Sequence, residues 1–308
     1  MLTRFIEGVG AHLAERWMAT VFAPAFVFWG YGLAVWLWHT GWSQASNQIQ
    51  QVSEPVWWAV LIGGLFVVLL SSLIGQSLVL PVLRLLEGYH LPAFLRVPLV
   101  QHHRRHLNRL HHRYDTIAES EVDHPLTRKQ REELTHLEQQ LHAMPTHPDD
   151  LMPTRLGNIL RAAERRPADK YGLDTIICWP RLWLLLPDTA RQELGAARAT
   201  LDTEVRVLIW GSLLLVWSAW SWWSLLITLL VAVLVIGFAY RRALVAASVY
   251  GDLLEATFDL YRLGLYDGLS LPRPAGPAEE VAHGQRLTQY LYRGLADASV
   301  RFVAERGE

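Results

Sequence analysis

Apolar and charged positions are segregated along this chain. No Lys or Arg occurs from Trp17 to Leu83, and no charged residue of either sign occurs from Val207 to Tyr240. A helix needs about 20 apolar residues to cross roughly 30 Å of hydrocarbon. Backbone polar groups in lipid must be satisfied within the segment, so such runs predict helices. The first span reads from about Met18 to Trp38, and the Pro24, Gly30 and Gly32 inside it are tolerated in membrane helices. The second reads from about Val56 to Leu83, after Pro55. It is longer than a bilayer requires, so it tilts or projects beyond it. As one helix the Val207–Tyr240 run would be about 51 Å long, too long to match a bilayer comfortably. A tight helical hairpin turning around Ser218–Ser224 fits better, because it puts Arg206 and Arg241–Arg242 on one side. The pattern predicts an all-α integral membrane protein with four transmembrane helices and a helical cytoplasmic domain.

Charge orients these spans. Arg4 and Arg16 precede the first span, the 39–55 loop has no Lys or Arg, and six arginines face one acid, Glu87, between Arg84 and Arg113. The positive-inside tendency then places both termini and the central region in the cytoplasm, with the chain multi-pass in a bacterial inner (plasma) membrane. Trp36, Trp38, Trp42, Trp57, Trp58, Trp217, Trp220, Trp222 and Trp223 fall at the outer boundary this implies, as expected for amphipathic rings at headgroup level.

The expected division is an interfacial amphipathic helix over 1–17, spans one and two over 18–83, and a helical cytoplasmic domain over 84–206. Spans three and four follow over 207–240, then a cytoplasmic extension and C-terminal helix over 241–308. Leu2, Phe5, Ile6, Val9 and Leu13 recur at helical spacing, which suits a helix on the inner leaflet or one packed on the protein's own cytoplasmic domain. Leu134, Leu137 and Leu141 share a helical face, Pro153-Thr154 precedes a helix over Asn158–Arg166, and Asp188 after Pro187 reads as an N-cap. Thr175–Pro187 is apolar but too short to span, so it is a core segment or touches the bilayer or a neighbouring subunit. Span four is expected to continue as a helix to about Gly268, with a final helix over Ala278–Val303.

Composition narrows the function classes. The net charge of −1 over 308 residues gives no global electrostatic reason to bind nucleic acid. A single cysteine, Cys178, excludes an intramolecular disulfide framework and a multi-cysteine metal site. P-loop, G-x-S-x-G, HExxH and G-x-G-x-x-G signatures are missing, so the chain does not read as an enzyme, and no cofactor is implied. The spans lack acids, which argues against a proton relay or ion-coupled pump.

Three groups of residues carry candidate chemistry. Ser71, Ser72, Gly75 and Gln76 form the most polar strip of any span and are candidate pore-lining residues. The competing reading is helix packing, since Ser71 and Gly75 make a small-xxx-small pair. His102, His103, Arg104, Arg105, His106 and Arg109 form a juxtamembrane basic run suited to anionic headgroups or to pH response. His102 and His106 are spaced to share a metal, but the arginines around them repel a cation and a third ligand is lacking. Asp252, Glu255 and Asp259 lie on one helical face as weak Ca²⁺ candidates. The alternative is pairing with Arg262 or with the arginines of 96–113.

The plan of four spans, cytoplasmic ends and long helices continuing into a cytoplasmic bundle resembles bacterial bestrophin-like channels. That resemblance implies pentameric assembly and covers architecture only; it assigns no site residue. The runs Pro153-Thr-Arg-Leu-Gly-Asn158, Tyr171-Gly-Leu-Asp174 and Trp179-Pro-Arg181 look like motifs of uncharacterised bacterial membrane proteins, which implies no activity. The leading expectation is an oligomeric channel or pore, with span two facing the pore and a cytoplasmic domain that assembles or gates it. The alternative is a membrane-anchored interaction or sensor protein whose cytoplasmic domain binds a partner, with the lipid bilayer and further copies of the chain as other partners. A lipid-directed enzyme using the His/Arg run is a third, lesser reading.

Overall fold

Small side chains decide where the apolar helices touch. The structure, a computed structural model, describes residues 22–123, 125–220 and 222–294, and shows helices, turns and loops with no strand among them. In chain order the helices are α1 (Ala23–Thr40), α2 (Trp42–Gln50), α3 (Glu54–Ser77), α4 (Val79–Glu87), α5 (Ala93–Asp123) and α6 (Arg128–His142). They continue as α7 (Arg155–Tyr171), α8 (Thr175–Leu185), α9 (Asp188–Leu213), α10 (Trp222–Gly268) and α11 (Pro277–Arg293). Contacts divide the chain into two compact units. Unit 1 is Met1–Leu83 with Thr200–Ala243, and unit 2 is Arg84–Ala199 with Leu244–Glu308.

In unit 1, Thr228, Ala232, Ala239 and Ala243 are buried along one face of α10, so its backbone comes close to its neighbours. Gly211 of α9 lies against Val235 and Ile236, and Arg242 donates to Glu204 at 2.6 Å. As the α9 position rises from 204 to 211, the α10 position falls from 242 to 235. The two segments therefore run antiparallel, with the 3₁₀ segment Leu214–Trp220 between them. The α1 helix is tied to both apolar helices: Trp29 Nε1 donates to Ser71 Oγ at 3.1 Å, and the Tyr31 hydroxyl pairs with Thr228 Oγ1 at 2.8 Å. Phe28, Trp29, Trp210 and Trp217 pack as an aromatic cluster around Gly32, where the Trp217 ring occupies the space a Cβ would take.

Among the described residues, two helices are long and apolar enough to cross a membrane, Glu54–Ser77 and Leu225–Gly268. Only 17% and 22% of their most apolar stretches are buried, unlike a core helix of a soluble domain. Four such helices were expected. The difference has a local cause: α1 is short and its run is diluted by Pro24, Tyr31 and His39, while α9 carries only Val207–Leu213 of the apolar run before the 3₁₀ segment. The second apolar run is also interrupted, because α3 ends at Ser77 and α4 restarts at Val79. The interfacial helix expected over 1–17, the start of the first span, and the continuation of the last helix past Arg293 lie outside the described residues. So do the side chains of Trp220, Trp222 and Trp223. Trp38 and Trp42 are 89% and 75% exposed, as an interfacial ring would be.

Unit 2 is held by caps and close backbone contacts. Thr127 and Gln130 form a reciprocal capping box at α6. Leu137 of α6 packs on Leu107 and Leu110 of α5. Thr154 caps α7 by accepting from the Gly157 N–H, and its own hydroxyl donates to the Leu86 carbonyl at 2.6 Å. Gly88, at φ +100°, nests against Pro153, and Gly157 approaches the Glu87 carbonyl more closely than any Cβ would allow. Gly172 ends α7 in the left-handed region, against the Val281 carbonyl of α11. Asp174 caps α8, and Thr288 of α11 bridges the Asp174 N–H and the Gly172 carbonyl at 3.1 Å each. The Pro153–Asn158 and Tyr171–Asp174 runs are thus structural junctions. The core beneath them gathers Cys178 and Leu182 of α8 with Phe258 and Leu265 of α10, and Trp179 stacks on Phe258. The other face of α8 exposes Ile176 and Leu184, at 69% and 76%.

Candidate functional site

The polar strip of α3 is spent inside the chain. Ser71 accepts from Trp29 and donates to the Val68 carbonyl at 3.0 Å. Ser72 is 1% exposed and its hydroxyl returns to the Leu69 carbonyl at 2.7 Å. Gly75 is buried against the Trp210 ring, which a Cβ would approach to 3.2 Å. Of the four residues, only Gln76 is exposed. The small side chains therefore admit α1 and α9 rather than leaving a polar face open within one chain.

The acidic trio is likewise engaged within the chain, by partners the sequence did not indicate. Arg166 of α7 donates to Glu255 at 2.6 Å, and Lys170 also bonds it. His142 of α6 lies 3.2 Å from Asp252, and the Tyr171 hydroxyl donates to Asp259. Burial alone would raise the Glu255 carboxyl, but Lys170 and Arg166 hold it below the ordinary carboxylate range. Pairing with Arg262 or the arginines of 96–113 was the expected alternative. Instead Arg262 reaches Glu280 of α11 at 2.6 Å. No group of three metal-ligating side chains occurs among the described residues.

The histidine run borders a cleft on one side. Arg104, Arg105 and Arg109 are exposed, with Arg109 folding back to the Arg105 carbonyl at 3.2 Å. The exposed His102 and the half-buried His103 and His106 line a cleft of about 560 Å³ within unit 2. There they meet His136 of α6, Arg155 of α7 and the buried Asn158. Gln139 and Gln140 of α6 and Ser248 of α10 add neutral polar groups, and Met144, Ile159, Leu244 and Val245 make the cleft half apolar. No carboxylate lines it. Burial lowers the His103 pKa, with His102, His106 and Arg155 adding to the effect and the Pro153 carbonyl opposing it. Burial also lowers that of His106, followed by Arg109, His102 and Arg155.

Asn158 is the residue sequence reasoning missed. It is 2% exposed, and its Oδ1 accepts from the Met152 N–H at 2.8 Å. That bond fixes Nδ2 as the donor end, and Nδ2 has no acceptor within the protein. A buried donor left without an acceptor costs about 1–3 kcal/mol. The available signal was an amide on the buried face of a capped helix, two residues after Leu156, which is fully buried. The link to His102 and His136 is long-range and has no local signature.

A second polar site surrounds Glu87. Its carboxyl is pushed up to about 7, first by burial and then by Glu164, while Arg198 and Arg84 pull it down. Glu164 is raised as well, again chiefly by burial.

Comparison with protein-family models, with curated proteins and with solved structures gives no match to this chain.

Proposed function

We propose that the chain is a membrane-anchored binding or sensor protein, in which the apolar helices hold unit 2 at a bacterial inner membrane and the histidine-lined cleft receives a ligand. The observation that carries this reading is the contrast in polar groups. The α3 strip is used in packing the chain's own helices, whereas the unit 2 cleft gathers Arg155 and four imidazoles with no carboxylate in its lining. In this reading the antiparallel α9–α10 apolar segments form a membrane hairpin beside α1 and α3, giving four crossings with both termini on the arginine-rich side.

A second reading, an oligomeric channel of bestrophin-like plan, is favoured by one observation. Gln76 is exposed on the same apolar helix as Gly63 and Gly64, which have nothing within 4 Å of a built Cβ. The open glycines permit close approach by a further copy, and several copies are needed to enclose a path.

The two readings separate in liposomes reconstituted with the full chain. The binding reading expects Arg155→Gln to weaken ligand binding by roughly tenfold, the loss of one charge-assisted hydrogen bond, while Gln76→Leu leaves it unchanged. A reconstituted ion flux that Gln76→Leu abolishes, with no ligand response in the cleft, would transfer the function to the spans.

A further inference from the structure

We infer that the unit 2 cleft is a binding site for a phosphate-class oxyanion, either a free phosphate ester or a phospholipid headgroup. This rests on the binding reading above and names its ligand chemistry. Three independent features converge. The polar wall offers donors: the Arg155 guanidinium and four imidazoles (His102, His103, His106 and His136), beside the buried Asn158. The wall contains no carboxylate, so nothing in it competes with an incoming anion or favours a cation. The remaining wall is apolar, and the volume of about 560 Å³ exceeds a bare phosphate, which suits a phosphate carried on a larger organic group. Planar, forked donors such as Arg match the oxygens of a phosphate group.

The same geometry makes binding depend on pH. His103 faces His102 and His106 on its own helix and Arg155 across the cleft; His106 faces His102, Arg109 and Arg155. His136 is the titratable lining group from α6, and the α10 wall contributes Leu244, Val245 and Ser248 but no charge. The charged groups around them are basic, and burial adds to their effect, so the protonated forms of His103 and His106 are disfavoured in the empty cleft. A bound oxyanion reverses that balance and draws protons onto them. Affinity should therefore rise as pH falls below the ordinary histidine value of about 6.5.

The test uses the full chain in detergent and titrates inorganic phosphate and sulfate by calorimetry at about pH 6 and about pH 7.5. Sulfate keeps its charge over that range, so its pH dependence reports the protein. Sulfate is expected to bind at least fivefold more tightly at the lower pH. Arg155→Gln should weaken binding about tenfold, and His103→Gln with His106→Gln should flatten the pH dependence. Melting of each variant verifies that unit 2 is folded, and Asn158→Asp provides a second probe by placing a carboxylate in the site, which should repel the anion. In parallel, native mass spectrometry of protein from phosphatidylglycerol or phosphatidylcholine nanodiscs counts retained lipid. Weak binding of both free anions, with phosphatidylglycerol retained by the parent chain and lost in Arg155→Gln, would assign the site to a headgroup. Tight phosphate binding without lipid retention would assign it to a soluble phosphate. Neither free anion nor lipid binding, or binding indifferent to all these variants, would overturn the inference. Arg155-dependent binding of a carboxylate alone would overturn it while leaving the binding reading intact, whereas a Gln76-dependent flux with no ligand bound would remove both.

Discussion

The two units use their polar groups differently. In unit 1 the Trp29 indole closes on Ser71 and the Tyr31 hydroxyl on Thr228 across α1, α3 and α10, and the large exposed side chains of α3, such as Leu61, Ile62 and Phe66, are apolar. In unit 2 polar groups are gathered in caps and ion pairs, and one cleft brings Arg155 together with four imidazoles and no carboxylate. In the proposed reading lipid accounts for the first pattern, since an unsatisfied polar group is costly there and an exposed Leu is not. In the same reading an anionic ligand accounts for the second, because the cleft has no carboxylate of its own to pair with its basic groups.

The sharpest way to break this comparison is to place the same substitution in both units. Gly172→Val puts a branched side chain at φ +70°, where a Cβ would sit 2.1 Å from the Val281 carbonyl oxygen. Strain and overpacking together should cost about 3 kcal/mol or more and separate α7 from α11. Gly63→Val meets nothing within 4 Å and should leave melting unchanged. Thermal melts of the two variants in the same detergent measure the difference. Equal losses would mean that the Gly63 face is packed.

A smaller effect sharpens the electrostatics of unit 2. The Glu87 carboxyl titrates near 7 in the fold and near 4.5 when unfolded. Its folded value is raised, so the fold holds the proton more tightly than the unfolded chain does. The stability this gives is complete below about pH 4.5 and is lost as pH rises towards 7. Glu87→Gln removes that loss. Allowing for the partial exposure of the site, it should stabilise the protein by on the order of 1 kcal/mol at about pH 8 and have no effect at about pH 4. A benefit that is the same at both pH values would exclude titration of Glu87 as its cause.

Much of the helix layout was legible in the sequence because its causes are local. The antiparallel α9–α10 pair followed from an uncharged run flanked by arginines, the α7 start from Pro153-Thr154, and the end of α10 from Gly268. The break at Leu78 had no such marker, since the run Ser77-Leu-Val-Leu continues the apolar pattern on both sides. Long-range choices were also hidden. Nothing in the spacing of Asp252, Glu255 and Asp259 selects Arg166 and Lys170 over Arg262, because α7 reaches that face of α10 only after folding. The histidine run was visible as a basic stretch, but the cleft its histidines line depends on what α6 and α7 place opposite it. Asn158 could not be assigned without seeing that Met152 occupies its oxygen.

The division of labour between anchor and cleft is tested most directly by hydrogen exchange of the full chain in phosphatidylglycerol-free nanodiscs at about pH 6, with and without inorganic phosphate. The account predicts that phosphate slows exchange in peptides of α5, α6 and α7 that border the cleft, around 102–106, 136–144 and 155–159, and leaves α3 unchanged. Protection confined to α3, or no protection anywhere in unit 2, would contradict it.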